Sequence, residues 1–303
     1  MNLYNELVHI VSKDNVTLNK PLKSHTYTRL GGNADYFITP ITYEQVGAVV
    51  KLAKLNNVPF TLLGNGSNLI IKDGGIRGIV MYLGKLKSIT VKSESIIAES
   101  GALIADVSKQ ALASHLTGLE FACGIPGSVG GALFMNAGAY GGEIKDILVQ
   151  ATVVDEAGNI QTIAAEDLGL AYRTSTFQTN NYIVLDAEFA LKKGKYGEIK
   201  AQMDVLTFKR ESKQPLEYPT CGSVFKRPQG HFAGKLIQDS GLQGQQIGGA
   251  QVSLKHAGFI INKDNATADE YIALIRHVQK TVKERFNIDL EREVRIIGEN
   301  EPL

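Results

Sequence analysis

The segment "EYPTCGSVFKRP", residues 217–228, places a thiol, a hydroxyl and several cationic or ring-constrained neighbours within a few positions. A nucleophilic cysteine, a metal ligand, a serine in acid–base chemistry and an ordinary loop all fit these residue types. Composition does not choose among them, so the rest of the chain must.

Two glycine clusters suggest a ligand. "LLGNGSNLII" reads as a strand, a G-x-G turn and then apolar, β-prone residues. A dinucleotide-binding G-x-G-x-x-G would need glycine at Leu69 and a helix after it, and the Lys-Ser/Thr of a phosphate loop is absent. What remains is a run of backbone N–H groups from Asn65 to Asn68. It could hold a pyrophosphate, or it could be a plain tight turn, the commoner case. "GIPGSVGGALFMNAGAYGGE" is denser, with Gly124, Gly127, Gly130, Gly131, Gly138, Gly141 and Gly142. Glycine costs backbone entropy, and close approach to a large flat or phosphorylated ligand would offset that cost. Ile125, Val129, Leu133, Phe134 and Met135 argue against a bare surface loop.

Two charged residues complete the candidates. Arg173, after Tyr172, carries a planar guanidinium suited to a carboxylate or phosphate. Glu293, in "EREVRIIG", would share a strand face with Arg295, opposite Val294 and Ile296; a solvated face would look the same. The six histidines are scattered, and the two cysteines form no C-x-x-C clip. No metal site is therefore expected, and G-x-S-x-G and H-E-x-x-H are also missing.

The elements that position these residues read in order. A helical lead-in covers the first ~25 residues, followed by a strand ending at Ile38 and a helix opened by a Thr42/Gln45 capping box. "VPFTLLG" reads as a buried strand before the GNGSN turn. Hairpins are expected at "SITVK"/"SIIAES" and around Gly158, with a short helix at 103–115 between them. A helix over 197–213 stops at Gln214–Pro215. Paired strands near "AQVSLKHAGFIIN", a helix over 268–286 opened by Thr267/Glu270, and a final strand follow. The expected lobes are 1–87, 88–196 and 197–303.

The 303 residues are 44% hydrophobic and 21% charged, with 32 basic and 31 acidic side chains and net charge +1. Such balance predicts neither a nucleic-acid nor a membrane surface. Apolar runs fall far short of the ~20 residues that span a bilayer. No secretory signal is apparent and cysteine is sparse, so a cytoplasmic, reduced protein is expected.

Taken together, the ordered blocks "TYTRLGGNADYF", "LGNGSNLI", "GIPGSVGGALFMNAGAYGGE", "AYRTSTF", "CGSVFKRP", "HAGFIINKDNATADE" and "LEREVRIIG" resemble the UDP-N-acetylenolpyruvoylglucosamine reductase family over nearly the whole chain. The resemblance implies an α+β fold: a two-lobed FAD-binding domain of the vanillyl-alcohol-oxidase/PCMH type plus a C-terminal α+β substrate-binding domain. It implies an FAD-containing oxidoreductase of peptidoglycan precursor synthesis. NADPH would reduce FAD, and hydride would then reach C3 of UDP-N-acetylglucosamine enolpyruvate as a proton reaches C2. An oxidase of the same fold and a non-catalytic nucleotide-sugar binder are the alternatives.

By the same resemblance, Gly64, Asn65, Gly66, Ser67 and Asn68 hold the FAD pyrophosphate. Gly124, Ile125, Pro126, Gly127, Ser128, Gly130, Gly131, Asn136, Gly138, Ala139 and Tyr140 lie along the cofactor. Arg173 and Glu293 would hold the substrate carboxylate, with Glu293 protonated or proton-sharing, and Ser223 would donate the proton. Tyr172, Arg210, Lys213, Lys226, His256 and Arg295 would face substrate. The chain lacks the inserted tyrosine loop of longer relatives, and Arg227 stands where relatives can have asparagine. No obligate protein partner is implied, and a monomer suffices.

Overall fold

The computed structural model describes residues 2–300 and contains seven helices among them: α1 (Leu3–Val11), α2 (Tyr43–Leu55), α3 (Ile104–Ala113), α4 (Val129–Phe134), α5 (Tyr196–Lys213), α6 (Ala233–Asp239) and α7 (Ala268–Phe286). The chain forms two compact units. The first comprises the N-terminal residues to Leu18, Asp35–Asn65 and Gly78–Lys209; the second comprises Asn19–Ala34, Gly66–Arg77 and Arg210 onward. Both are discontinuous in sequence.

Two sheets lie mostly within the first unit. In one, Phe60–Leu63 runs parallel to Ile76–Tyr82, which neighbours Asn33–Ile38 and then Val16–Pro21. The other is antiparallel throughout, in the order 160–164, 148–154, 183–190, 95–99, 89–92. Both expected hairpins are therefore present. Val46, Val49 and Ala53, at helical spacing on α2, are buried against the first sheet's core. The capping box at its start is modified: Thr42 accepts from the Gln45 N–H, but the Gln45 amide oxygen accepts from Ile41 rather than Thr42. "VPFTLLG" corrects one expectation, since in Phe60–Leu63 only Leu63 is buried and Leu62 is exposed. The lead-in is likewise shorter than expected: α1 ends at Val11, and a strand starts at Val16.

In the second unit, an antiparallel sheet orders its strands 220–223, 259–262, 250–252, 246–247. A separate parallel pair joins Arg295–Ile297 to Leu69–Ile71. Helix α7 supplies the core: Tyr271, Ile272, Leu274, Ile275, Val278 and Val282 recur every three or four residues and are all buried. Burial contributes roughly 1.5–3 kcal/mol for a large apolar side chain. The helix begins as its sequence signals, with Thr267 and Glu270 making the reciprocal capping box. Asp73, from a distant segment, also accepts the N–H groups of Ala268 and Asp269, and its negative charge suits the helix start.

Candidate active site

In the first unit, Arg173 occupies the tip of a tight turn. Ala171 and Thr174 exchange backbone hydrogen bonds of 3.0 and 3.1 Å, leaving Tyr172 and Arg173 between them. Arg173 has φ +56°, a left-handed conformation that costs a non-glycine residue roughly 1–2 kcal/mol. Its guanidinium lies 5.4 Å from the centroid of the exposed Tyr172 ring. Ser175 Oγ and Gln178 Nε2 each donate to the Phe134 carbonyl at 2.7 Å, and Asn136 Nδ2 donates to the Ala171 carbonyl at 3.1 Å. The turn is thereby tied to the glycine-rich segment, and these contacts hold Arg173 in its left-handed conformation.

The second unit brings Ser223 and Glu293 onto neighbouring segments. Thr220 faces Ile261 and Ser223 faces Phe259, so Cys221 and Gly222 together oppose Ile260 alone. This is a β-bulge, and Gly222 at φ +77° absorbs the turn. In a regular strand Cys221 and Ser223 would share a face; here Cys221 is buried and Ser223 exposed. The Ile260 carbonyl opposite the bulge accepts from the Thr220 and Tyr271 hydroxyls. Cys221 Sγ sits 3.4 Å from the Tyr271 oxygen, and burial pushes its thiol up to about 11.

The Glu293 backbone N–H donates to the carbonyl of Val224, the residue after Ser223, at 2.8 Å. Asn68 Nδ2 donates to the Glu293 carbonyl at 3.2 Å. Glu293 precedes the final strand, which begins at Arg295, so the expected alternation across one strand face does not extend to it. Its position is set by these hydrogen bonds instead.

Comparison with known proteins decides the family. A model of the UDP-N-acetylenolpyruvoylglucosamine reductase C-terminal domain matches residues 214–297, and an FAD-binding-domain model matches residues 34–164. The UDP-N-acetylenolpyruvoylglucosamine reductase of Oceanobacillus iheyensis is 65% identical over 99% of this chain and 97% of its own. That of Geobacillus thermodenitrificans is 61% identical over 98% of each chain. The chain belongs to the UDP-N-acetylenolpyruvoylglucosamine reductase family. The solved Thermus caldophilus reductase superposes with TM-score 0.79 at 33% identity, over 93% of this chain and 97% of that one. A grass pollen allergen with glucose dehydrogenase activity, at TM-score 0.52 and 15% identity over 64% of this chain and 45% of its own, shares the fold alone. The α+β expectation with an FAD-binding domain therefore stands, and the chain is an FAD-containing oxidoreductase.

For a reductase of this family the residues must accommodate FAD, and they do. The Gly66 carbonyl accepts from Tyr27, while among the described residues the N–H groups of Gly66 and Ser67 donate to no intrachain acceptor. Two such donors suit an anionic pyrophosphate. Gly66 has φ +65°, and a Cβ there would lie 2.0 Å from the His25 carbonyl oxygen, so the turn requires glycine. In the other unit, Asn65 Nδ2 donates to the Pro126 carbonyl at 2.6 Å, and Ser128 caps α4 by accepting from Gly131. Tyr140 and Gly141, at φ +55° and +95°, form the turn between strands 138–139 and 142–143, with Tyr140 exposed.

Packing explains part of the glycine density. A Cβ at Gly130 would lie 2.2 Å from Ser100 Oγ, and one at Gly142 would lie 2.8 Å from the Phe121 ring. Asn136 is buried, and its amide serves Glu143, Ala171 and Lys145 within the chain.

The expected substrate-facing cations are differently engaged. Lys226 pairs with Glu291, and both border a cleft of about 390 Å³ shared with Arg227, His231 and Asp289. Arg227 lies 4.0 Å from the Phe232 ring centroid. His256 Nδ1 accepts from the Gly258 N–H at 3.1 Å, which leaves the proton of the neutral ring on Nε2. Burial holds this imidazole below its ordinary value, and the charge of Lys213 adds to the effect. Arg295 is exposed at the start of its strand, and Arg210 lies near the end of α5.

Sequence reasoning missed Gly222 as a bulge and Tyr271 as its support. The signal for the first was present, because an isolated glycine inside a strand pattern marks a bulge. A tyrosine fifty residues away in a helical stripe gave no sign of the second.

Proposed function

We propose that Arg173, Ser223 and Glu293 carry the reduction of UDP-N-acetylglucosamine enolpyruvate to UDP-N-acetylmuramate, the family's step in peptidoglycan precursor synthesis. FAD, when bound, supplies a hydride acceptor for NADPH and a hydride donor for C3 of the enolpyruvyl ether. What this chain adds is charge stabilisation and a proton. Hydride addition at C3 leaves charge at C2 and on the adjoining carboxylate oxygens. A planar guanidinium at Arg173, preformed on a strained turn, is suited to those oxygens. The Ser223 hydroxyl is the proton source for C2, because a carbanion is basic enough to deprotonate an alcohol; water then restores the serine. A neutral Glu293 carboxyl would hydrogen-bond the substrate carboxylate without repelling it.

The observation that carries this reading is the bulge at Gly222, which buries the thiol and exposes the hydroxyl beside the Glu293 segment. Gly64–Asn68 and the 124–140 loop are assigned to FAD, and Tyr172, Arg210, Lys213, Lys226, His256 and Arg295 to the nucleotide-sugar. The lobes 1–87 and 88–196 are assigned chiefly to the cofactor and 197–303 chiefly to the nucleotide-sugar, with Tyr172 and Arg173 of the middle lobe also turned to substrate. No described helix is long and apolar enough to cross a membrane, and we place the reaction in the cytoplasm, with a monomer sufficient for it.

The test is a flavin spectrum followed by stepwise additions. NADPH should bleach the flavin band, and the enolpyruvyl substrate should restore it without consuming oxygen. A bleached flavin that substrate never reoxidises would overturn the assignment. Oxygen consumption would indicate an oxidase, and a purified protein unable to bind added FAD would indicate a non-catalytic binder.

A further inference from the structure

Both peptide groups that flank the Glu293 Cα are anchored. On its N-terminal side, the Glu293 N–H donates to the Val224 carbonyl at 2.8 Å, an acceptor that the Val294 N–H of the C-terminal peptide group shares at 3.3 Å. On its C-terminal side, the Glu293 carbonyl accepts from Asn68 Nδ2 at 3.2 Å. The Asn68 carbonyl in turn accepts from the Arg295 N–H at 3.2 Å, and from there the two segments continue as a parallel pair, Arg295 opposite Leu69. Asn68 therefore holds the chain twice just beyond the Glu293 Cα, with its side chain on the Glu293 carbonyl and its backbone on Arg295. It is also the last residue of the GNGSN turn.

We propose that the Asn68 side chain is a positioning group for Glu293, which makes the glycine turn that receives the cofactor also the support of the carboxyl that faces substrate. The inference rests on the reading of Glu293 given above, but its structural part stands apart from it. Glu293 lies outside the regular ladder, where strand pairing does not determine its direction. An amide supplies what the ladder does not: a donor to one carbonyl, fixed by the turn and by the strand that follows. Aspartate in its place would present an acceptor to an acceptor, and alanine would present nothing.

The experiment compares holoenzyme variants Asn68→Ala, Asn68→Asp, Glu293→Gln and the double variant Asn68→Ala/Glu293→Gln. Four quantities are measured: FAD affinity by flavin fluorescence, flavin reduction by NADPH, reoxidation by substrate, and the Glu293 side-chain carboxyl resonance in ¹³C-glutamate-labelled protein, assigned by its loss in Glu293→Gln. Because Asn68 also belongs to the turn assigned to FAD, rates are compared at saturating FAD: in both Asn68 variants reoxidation should slow more than reduction does, by on the order of 10²-fold for a displacement near 1 Å. Their Glu293 resonance should move, and the double variant should be no slower than Glu293→Gln. The proposal is overturned if the two single effects multiply, if Asn68→Asp behaves as wild type, or if Asn68→Ala slows both halves alike at saturating FAD. Wild-type reoxidation in Glu293→Gln would remove the catalytic reading alone; a moved resonance in Asn68→Ala would still establish the positioning.

Discussion

Cys221 is buried and Ser223 exposed, although only Gly222 separates them. The thiol belongs to the core, against the hydroxyl of Tyr271, and the serine belongs to the surface beside the Glu293 segment. A bulge of one residue makes this division, and with it the choice between two candidate chemistries.

Ser223→Ala and Cys221→Ala should therefore differ in kind. Flavin reduction by NADPH stays near wild type in both. Reoxidation by substrate slows by roughly 10²–10⁴-fold in Ser223→Ala, the usual worth of a general acid, and changes little in Cys221→Ala. Equal slowing of both halves in Ser223→Ala would make the serine structural. A thiol reagent at pH 8 should titrate only the half-exposed Cys123 in the folded protein and both cysteines after denaturation, since burial holds Cys221 protonated at a value of about 11.

Gly222→Ala isolates the backbone contribution. Nothing lies within 4 Å of a Cβ built there, so the penalty comes from φ +77° alone, roughly 1–2 kcal/mol. Denaturant unfolding should show that loss, and substrate reoxidation should slow as Ser223 is turned away. A variant of unchanged stability would mean that the bulge tolerates a side chain and does not set the serine's direction.

Arg173 should show a trade between stability and activity. Arg173→Gly removes a side chain from a left-handed position and should gain up to about 1 kcal/mol in unfolding free energy, while substrate reoxidation collapses. Arg173→Lys keeps the strain and the charge but lacks the planar fork. It should gain no stability and still reoxidise poorly. Activity close to wild type in Arg173→Lys would show that charge alone is enough.

Stability should fall on mild acidification. Burial holds His256 and His25 below their ordinary value of 6.5, with Lys213 and Lys20 respectively adding to it. Below 6.5 the unfolded chain takes up protons that these two folded imidazoles refuse. Their contribution is therefore complete above about 6.5 and lost as pH falls through the folded values. Thermal midpoints should be flat from pH 8 to 7 and decline below about 6.5, with a shallower decline in His25→Gln/His256→Gln. An equal decline in that double variant would assign the acid sensitivity to carboxylates, whose window lies lower.

Much of this molecule is set by its sequence, where local periodicity and capping suffice. Helix α7 lies where its apolar stripe and Thr267/Glu270 place it, and the hairpins fall at their turn signals. The ordered motif blocks also carried the family and its cofactor, because glycine turns and the residues around them are local in the chain. Strand burial was less legible. Phe60–Leu63 is apolar in composition, yet exposure depends on what covers each face, and only Leu63 is covered completely.

The direction of the reactive groups was decided by tertiary structure. Alternation along an extended strand would have put Cys221 and Ser223 on one face and Glu293 with Arg295 on another. A positive φ at Gly222 broke the first pattern, with Ile260 stabilised opposite it by a tyrosine from α7. The Val224 carbonyl and the Asn68 amide replaced the second. These partners are brought together only by folding, and a hydrogen bond between segments more than two hundred residues apart leaves no period in the sequence for local reasoning to find.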